Sequence, residues 1–188
     1  MDSVWRNSDV TVVARRLLGC QLVRIVGGEQ MVGKIVETEA YHQSDAASHS
    51  FKGETPRTAA LFGSPGRAYV YFTYGMHYCV NVVTGVEGEG LAVLIRALEP
   101  LEGLDCMRLN RPHVPDAQLT NGPAKLCQAL LIDKKQNGHD LRVPPLQLLV
   151  EPPVAPEEIA TTTRIGITRD THRLWRFYLK NNTFVSHR

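Results

Sequence analysis

The chain has 188 residues, 43% hydrophobic and 21% charged, with a net charge of +2. That length suits one domain, the apolar fraction supplies a core, and the even spread of charge excludes wholesale disorder. No apolar run approaches the ~18 residues of a membrane span, and the first residues do not form a signal peptide.

The expectation is therefore a monomer in the cytoplasm (at the nucleoid if the source is bacterial), with no membrane partner. Cys20, Cys79, Cys106 and Cys127 form no C-x-x-C pair and lie in or beside apolar stretches, as reduced core residues do. The small net charge hides a local bias. From residue 161 onward Arg164, Arg169, Arg173, Arg176, Lys180 and Arg188 stand against one acid, Asp170. Such a patch holds phosphates or is an ordinary solvated surface.

In chain order, Ser8 is placed to cap a helix whose apolar positions Val10, Val13, Ala14, Leu17 and Leu18 form one stripe, closed by Gly19. Residues 20–26 read as a strand, Gly27 and Gly28 as a hairpin turn, and 31–39 as the returning strand. That second strand is apolar except for Lys34 until it reaches Glu37, Glu39, Tyr41 and His42, followed by Asp45 and His49. Alternation puts Glu37 and Glu39 on one face, roughly 6.6 Å apart, and Lys34 on the other. Two carboxylates near imidazoles suit general acid/base hydrolysis, a metal site, or merely a solvated strand end. The His42, His49, Asp45 and Glu37 set matches no common zinc spacing, so no metal is expected.

Residues 41–51 read as a loop, and Thr55-Pro56 as the start of a short helix through 62. Residues 68–83 hold four of the six tyrosines. High β-propensity on both sides of 74–77 predicts a hairpin whose tip carries Tyr74, with Met76 beside it. An aromatic residue at a tip is covered by another element or faces a ligand; Tyr69 and Tyr78 read as core. Residues 91–98 form an apolar strand broken by Arg96, which needs a carboxylate or ligand partner. Leu94 shares its face. Pro100 is expected to end that strand before a helix through 109.

A further helix is predicted over 124–131, with Lys125 in its first turn, where it suits a bound phosphate or is simply solvated. Strands are expected at 146–150, 164–168 and 175–180, with a short helix near 156–162.

Taken together, the segments IVETEAY (35–41), TPR (55–57), YVY (69–71), YGM (74–76), LIRALEPLEG (94–103), GPAKLCQAL (122–130) and RIG (164–166) resemble the alkyladenine (3-methyladenine) DNA glycosylase family, in order and across nearly the whole chain. The resemblance implies one α+β domain over 1–188, with a curved antiparallel sheet flanked by short helices and a hairpin that projects a tyrosine into DNA. It implies a monofunctional base-excision enzyme that flips alkylated or deaminated purines (3-methyladenine, 7-methylguanine, ethenoadenine, hypoxanthine) from double-stranded DNA and releases them hydrolytically, with no cofactor.

The family's catalytic base falls on Glu39, while Glu37 is left to pair with arginine. Arg96 falls beside the catalytic water, and Ile165 where a backbone carbonyl also holds that water. Tyr41, His49 and Tyr71 fall on the pocket walls, joined by Leu94. Asn81 falls where guanine's 2-amino group is crowded out, and Tyr74 where the flipped nucleotide is replaced. Met76, Lys125 and Arg164 are the expected DNA contacts. Two other classes remain: a non-catalytic sensor of distorted DNA, and a metal-dependent hydrolase.

Overall fold

The computed structural model describes residues 4–73 and 75–186. Helix α1 (Val10–Arg16) is capped by Asp9, whose carboxylate accepts the Thr11 and Val12 amides. Ser8 is not the cap; its hydroxyl donates to Glu89. The predicted stripe of α1 is buried, and Gly19 adopts the expected positive φ.

Strand β1 (Gln21–Val26) turns back through Gly27 and Gly28, both at positive φ, into β2 (Glu29–Tyr41). Then come β3 (Ala68–Thr73), β4 (His77–Val83), β5 (Ala92–Glu102), β6 (Leu146–Leu149), β7 (Ile159–Thr162) and β8 (Arg176–Leu179). Helices α2 (Leu104–Asn110) and α3 (Pro123–Ala129) accompany them. Among the described residues the strands form one curled antiparallel sheet, ordered β3-β4-β5-β2-β1-β6. Strand β8 pairs with the second half of β2, and β7 with β8. The result is the expected mixed α+β domain.

Strand β2 is its axis. Its first half pairs with β1, its C-terminal residues 37–39 with β8, and its other edge with β5. The β2–β5 register slips around residues 36–38, leaving Val36 and Arg96 without register partners. This irregularity re-aims the strand. Ile35 and Ala40 both enter the same core cluster, which strict alternation over five residues forbids. Beyond the slip, Thr38 and Ala40 face inward, the Thr38 hydroxyl donating to the Ala14 carbonyl at 2.9 Å. Glu37 and Glu39 are left on the opposite side, facing Arg96. Counting alternation back to Lys34 therefore fails. Lys34 is kept from the carboxylates by its ion pair with Glu99 at 2.6 Å.

Several element boundaries differ from expectation. Strand β5 runs through Pro100, which pairs with Gly33 where only β2 flanks that stretch, so its missing N–H costs no ladder bond on the open side. Residues 55–62 give only a single 3-10 turn, Ala59–Phe62. The predicted helix near 156–162 is a 3-10 turn, Pro156–Glu158, followed by β7, and residues 164–168 form a loop, not a strand. Strands β3 and β4 pair from Ala68↔Val82 to Thr73↔His77. Tyr74, expected at their tip, lies outside the described residues.

Candidate active site

Glu37 and Glu39 of β2 have no solvent exposure, so each must be neutralised in place. Glu37 is saturated. Its Oε1 accepts Arg96 Nε at 2.8 Å, Arg176 Nε at 2.6 Å and the Ser186 hydroxyl at 2.8 Å, and its Oε2 accepts the Ser186 amide at 2.7 Å. Burial raises its pKa, but Arg96, Arg176 and Ser186 outweigh burial and hold the carboxyl below its ordinary range.

Glu39 is held differently. The Ile165 amide donates to Oε1 at 2.8 Å, Arg96 Nη1 lies 3.2 Å from the same oxygen, and the Tyr41 hydroxyl donates to Oε2 at 2.9 Å. Arg96 thus bridges both carboxylates, as an arginine in an apolar strand requires. The contact made by Ile165 is through its N–H.

Arg96, Tyr41 and Ile165 also line a cavity of about 230 Å³. Tyr71, Tyr69, His49, Asn81 and Leu94 form much of the rest of its wall, so the expected pocket residues are brought together around the partners of Glu39. The His49 ring meets Tyr71 edge-on at 4.5 Å, and its Nδ1 lies 3.0 Å from the Tyr69 hydroxyl. Tyr69, read from the sequence as core, is both buried and part of the wall.

Asn81 faces Tyr69 on β3 and Leu94 on β5, and its amide donates to the Tyr69 carbonyl at 3.0 Å. Burial pushes the phenols of Tyr41 and Tyr71 well up and that of Tyr69 to about 12, so all three stay protonated near neutrality. Burial, with Arg57 nearby, lowers the His49 pKa and favours its neutral ring.

The expected DNA contacts divide. Met76 is 71% exposed beside the hairpin tip, an unusual position for a large apolar side chain that nothing covers. Lys125 is half-buried and donates to Asn121 Oδ1 at 2.8 Å. Arg164 is not at the surface: its side chain is wholly enclosed and paired with Asp45, which leaves no face for a phosphate.

The residues proposed from sequence as a metal set are dispersed. Glu37 is bound by arginines, Asp45 by Arg164, His42 by Ser44 and His49 by Tyr69. Among the described residues no three His, Cys, Asp or Glu side chains group as metal ligands. Sequence reasoning missed Ser186 and Arg176 as parts of the site, and it placed Asp45 in a metal set, not opposite Arg164. Their partners lie more than a hundred positions away, and nothing local marks the pairing.

A sequence model of the methylpurine-DNA glycosylase family matches residues 4–183. Curated relatives agree, each bearing the name "Putative 3-methyladenine DNA glycosylase". One from Carboxydothermus hydrogenoformans is 55% identical over 95% of this chain and 94% of its own length. One from Methanoculleus marisnigri is 50% identical over 100% and 99%, and one from Mesorhizobium japonicum 48% identical over 95% and 86%. With similarity that spans essentially the whole chain, the chain belongs to the methylpurine-DNA glycosylase family of N-glycosyl hydrolases that act in DNA repair.

Proposed function

We propose that this chain acts as a single-domain, monomeric, monofunctional glycosylase of the cytoplasm. It flips a damaged purine out of duplex DNA into the cavity walled by Tyr41, His49 and Tyr71 and releases it by water attack at C1′, with Glu39 as the base. The observation that carries this is the buried Glu39 carboxylate, whose three partners are themselves cavity-lining residues.

The C1′–N bond of the damaged nucleotide breaks with its electron pair going to the base, a water oxygen bonds to C1′, and Glu39 takes the water's proton; a cationic alkylated base leaves neutral, and a neutral base takes a proton from solvent as it leaves. Oε2 accepts only the Tyr41 hydroxyl among the described residues, so a further lone pair can serve that proton. Arg96 and the Ile165 amide fix the carboxylate in place, and its negative charge offsets the sugar's developing positive charge.

The ring faces of protonated Tyr69 and Tyr71 and of a neutral His49 add no positive charge of their own to the wall, where Arg96 also lies and Arg164 stacks on Tyr41. Purines made cationic by N3 or N7 alkylation are attracted to such faces, while ethenoadenine and hypoxanthine can stack and hydrogen-bond there. Extrusion costs a few kcal/mol, least for damaged bases. Tyr74, with Met76 beside it, is assigned to fill the vacated stack. Lys125 is assigned to the phosphates through its helix start.

The test is base release from a panel of duplexes, each with one lesion. Wild-type protein is expected to leave an intact abasic strand with no borohydride-trapped adduct. A trapped adduct would mean that an amine, not water, attacks C1′.

A further inference from the structure

We propose that Arg164 is a positioning residue that holds both hydrogen-bond donors of Glu39, with buried Asp45 as its counter-charge. This rests on the reading of Glu39 as the base. The guanidinium and the Asp45 carboxylate have no exposed side-chain surface. Nη1 bonds Asp45 Oδ2 and, at 3.1 Å, the Ala40 carbonyl. Nη2 bonds Asp45 Oδ1 at 3.0 Å and the Asp170 carbonyl at 3.4 Å.

Ala40 immediately precedes Tyr41, and Arg164 immediately precedes Ile165. Tyr41 and Ile165 supply the donors to the two oxygens of Glu39. One side chain therefore fixes the backbone beside both donors, although they lie 124 positions apart (165 − 41).

A second contact set points the same way. The Arg164 guanidinium carbon lies 4.7 Å from the centre of the Tyr41 ring and 5.2 Å from that of Trp175, and Arg173 covers Trp175 at 4.5 Å. Tyr41, Arg164, Trp175 and Arg173 thus form a ladder of alternating rings and guanidiniums running from the cavity wall outward. The Asp170 carboxylate accepts the Ala46 amide at 2.9 Å and ties the same two loops together. A planar fork that both stacks and bonds bidentately is what arginine supplies and lysine does not.

Arg164→Lys and Asp45→Asn are to be compared with wild type in single-turnover release from a duplex holding one ethenoadenine or hypoxanthine, whichever is released faster. Lesion-duplex Kd is measured over a salt series, and the folded fraction by circular dichroism. For Arg164→Lys, release from the bound complex should fall on the order of 10²-fold, as small misplacements of catalytic groups do. Kd and its salt slope should stay at wild-type values, and Trp175 emission should shift at unchanged folded fraction. Asp45→Asn should move release the same way.

In Arg164→Gln, which removes the charge, a salt slope smaller by about one with unchanged release marks a phosphate ligand and overturns the proposal; unchanged release in both Arg164→Lys and Asp45→Asn overturns it as well. Should Arg164→Lys fail to fold, Trp175→Leu, which strips one face of the ladder but leaves the ion pair, is held to the same expectation. Glu39→Gln, run in parallel, separates the two layers. If Glu39→Gln keeps wild-type release, the base assignment fails. If it is inactive while Arg164→Lys is fully active, the positioning role alone fails.

Discussion

Glu37 and Glu39 share a strand, a face and an arginine, yet their surroundings differ. Glu37 accepts four bonds from two guanidiniums and Ser186, whereas the three partners of Glu39 line a cavity. Glu39→Gln should retain lesion-DNA binding and slow base release by about 10²–10⁴, the usual worth of a positioned base. Glu37→Gln should instead lower stability, by roughly 3–5 kcal/mol if it behaves as other broken buried pairs do, with a smaller loss of rate per folded molecule. Chemical denaturation and single-turnover kinetics on both variants decide this, and a larger rate defect in Glu37→Gln would exchange the roles.

The pH dependence of stability has a definite sign. Arg96, Arg176 and Ser186 hold the folded Glu37 pKa below its unfolded value. Its stabilisation is therefore full above the unfolded pKa and is lost as pH falls through the folded one. Glu37→Gln should correspondingly flatten the acid limb of a stability–pH curve. Asn81→Ser should raise release of undamaged guanine relative to alkylated adenine. An unmoved ratio would reduce Asn81 to a strand residue that satisfies the Tyr69 carbonyl.

At the level of elements, the hairpins, the α1 stripe and the strand carrying the carboxylates were legible because period, turn glycines and apolar runs are local signals. The register slip of β2 against β5 was not. A local irregularity that leaves one residue unpaired on each strand has no composition of its own, and it surfaces only in which side chains reach the core, here Ile35 and Ala40 together. Residues 164–168 misled for a related reason. Their apolar and β-branched side chains look like a strand, yet tertiary contacts from Arg164 and the Ile165 amide hold them as a loop.

Gly103 joins β5 to α2 at φ 72, and a Cβ there would lie 2.4 Å from the Gln30 carbonyl oxygen. Gly103→Ala should therefore destabilise by more than about 1 kcal/mol, read from the shift in denaturation midpoint. In the β3–β4 hairpin, Tyr74→Ala should weaken nucleotide flipping more than cleavage of an already flipped base. Stacking of a base on an aromatic ring is worth about 1–3 kcal/mol. An unchanged flipping equilibrium, read by a fluorescent base, would remove Tyr74 from that role.

Across the whole molecule, the site is stitched from chain segments far apart: Glu39 to Ile165 across 126 positions, Glu37 to Arg176 across 139, and Glu37 to Ser186 across 149. This is why the site was only half visible beforehand. Sequence presents the residues of β2 to β5, Arg96 included, as neighbouring motifs, but several groups that neutralise and orient the glutamates, Arg176, Ser186 and the Ile165 amide, arrive from residues 165–186. The Ser186 contact has a kinetic consequence. Contacts of such separation must be closed against chain entropy, and they form after the local hairpins have organised. Bonds absent from the transition state govern how fast the native form is lost, not how fast it is reached. Ser186→Ala should thus leave the refolding rate nearly unchanged and speed unfolding by most of its stability loss, as a chevron plot would show. A slowed refolding limb would place this contact early instead. With refolding unchanged and unfolding faster, the working lifetime of the native enzyme is limited by how long Ser186 stays bonded to Glu37.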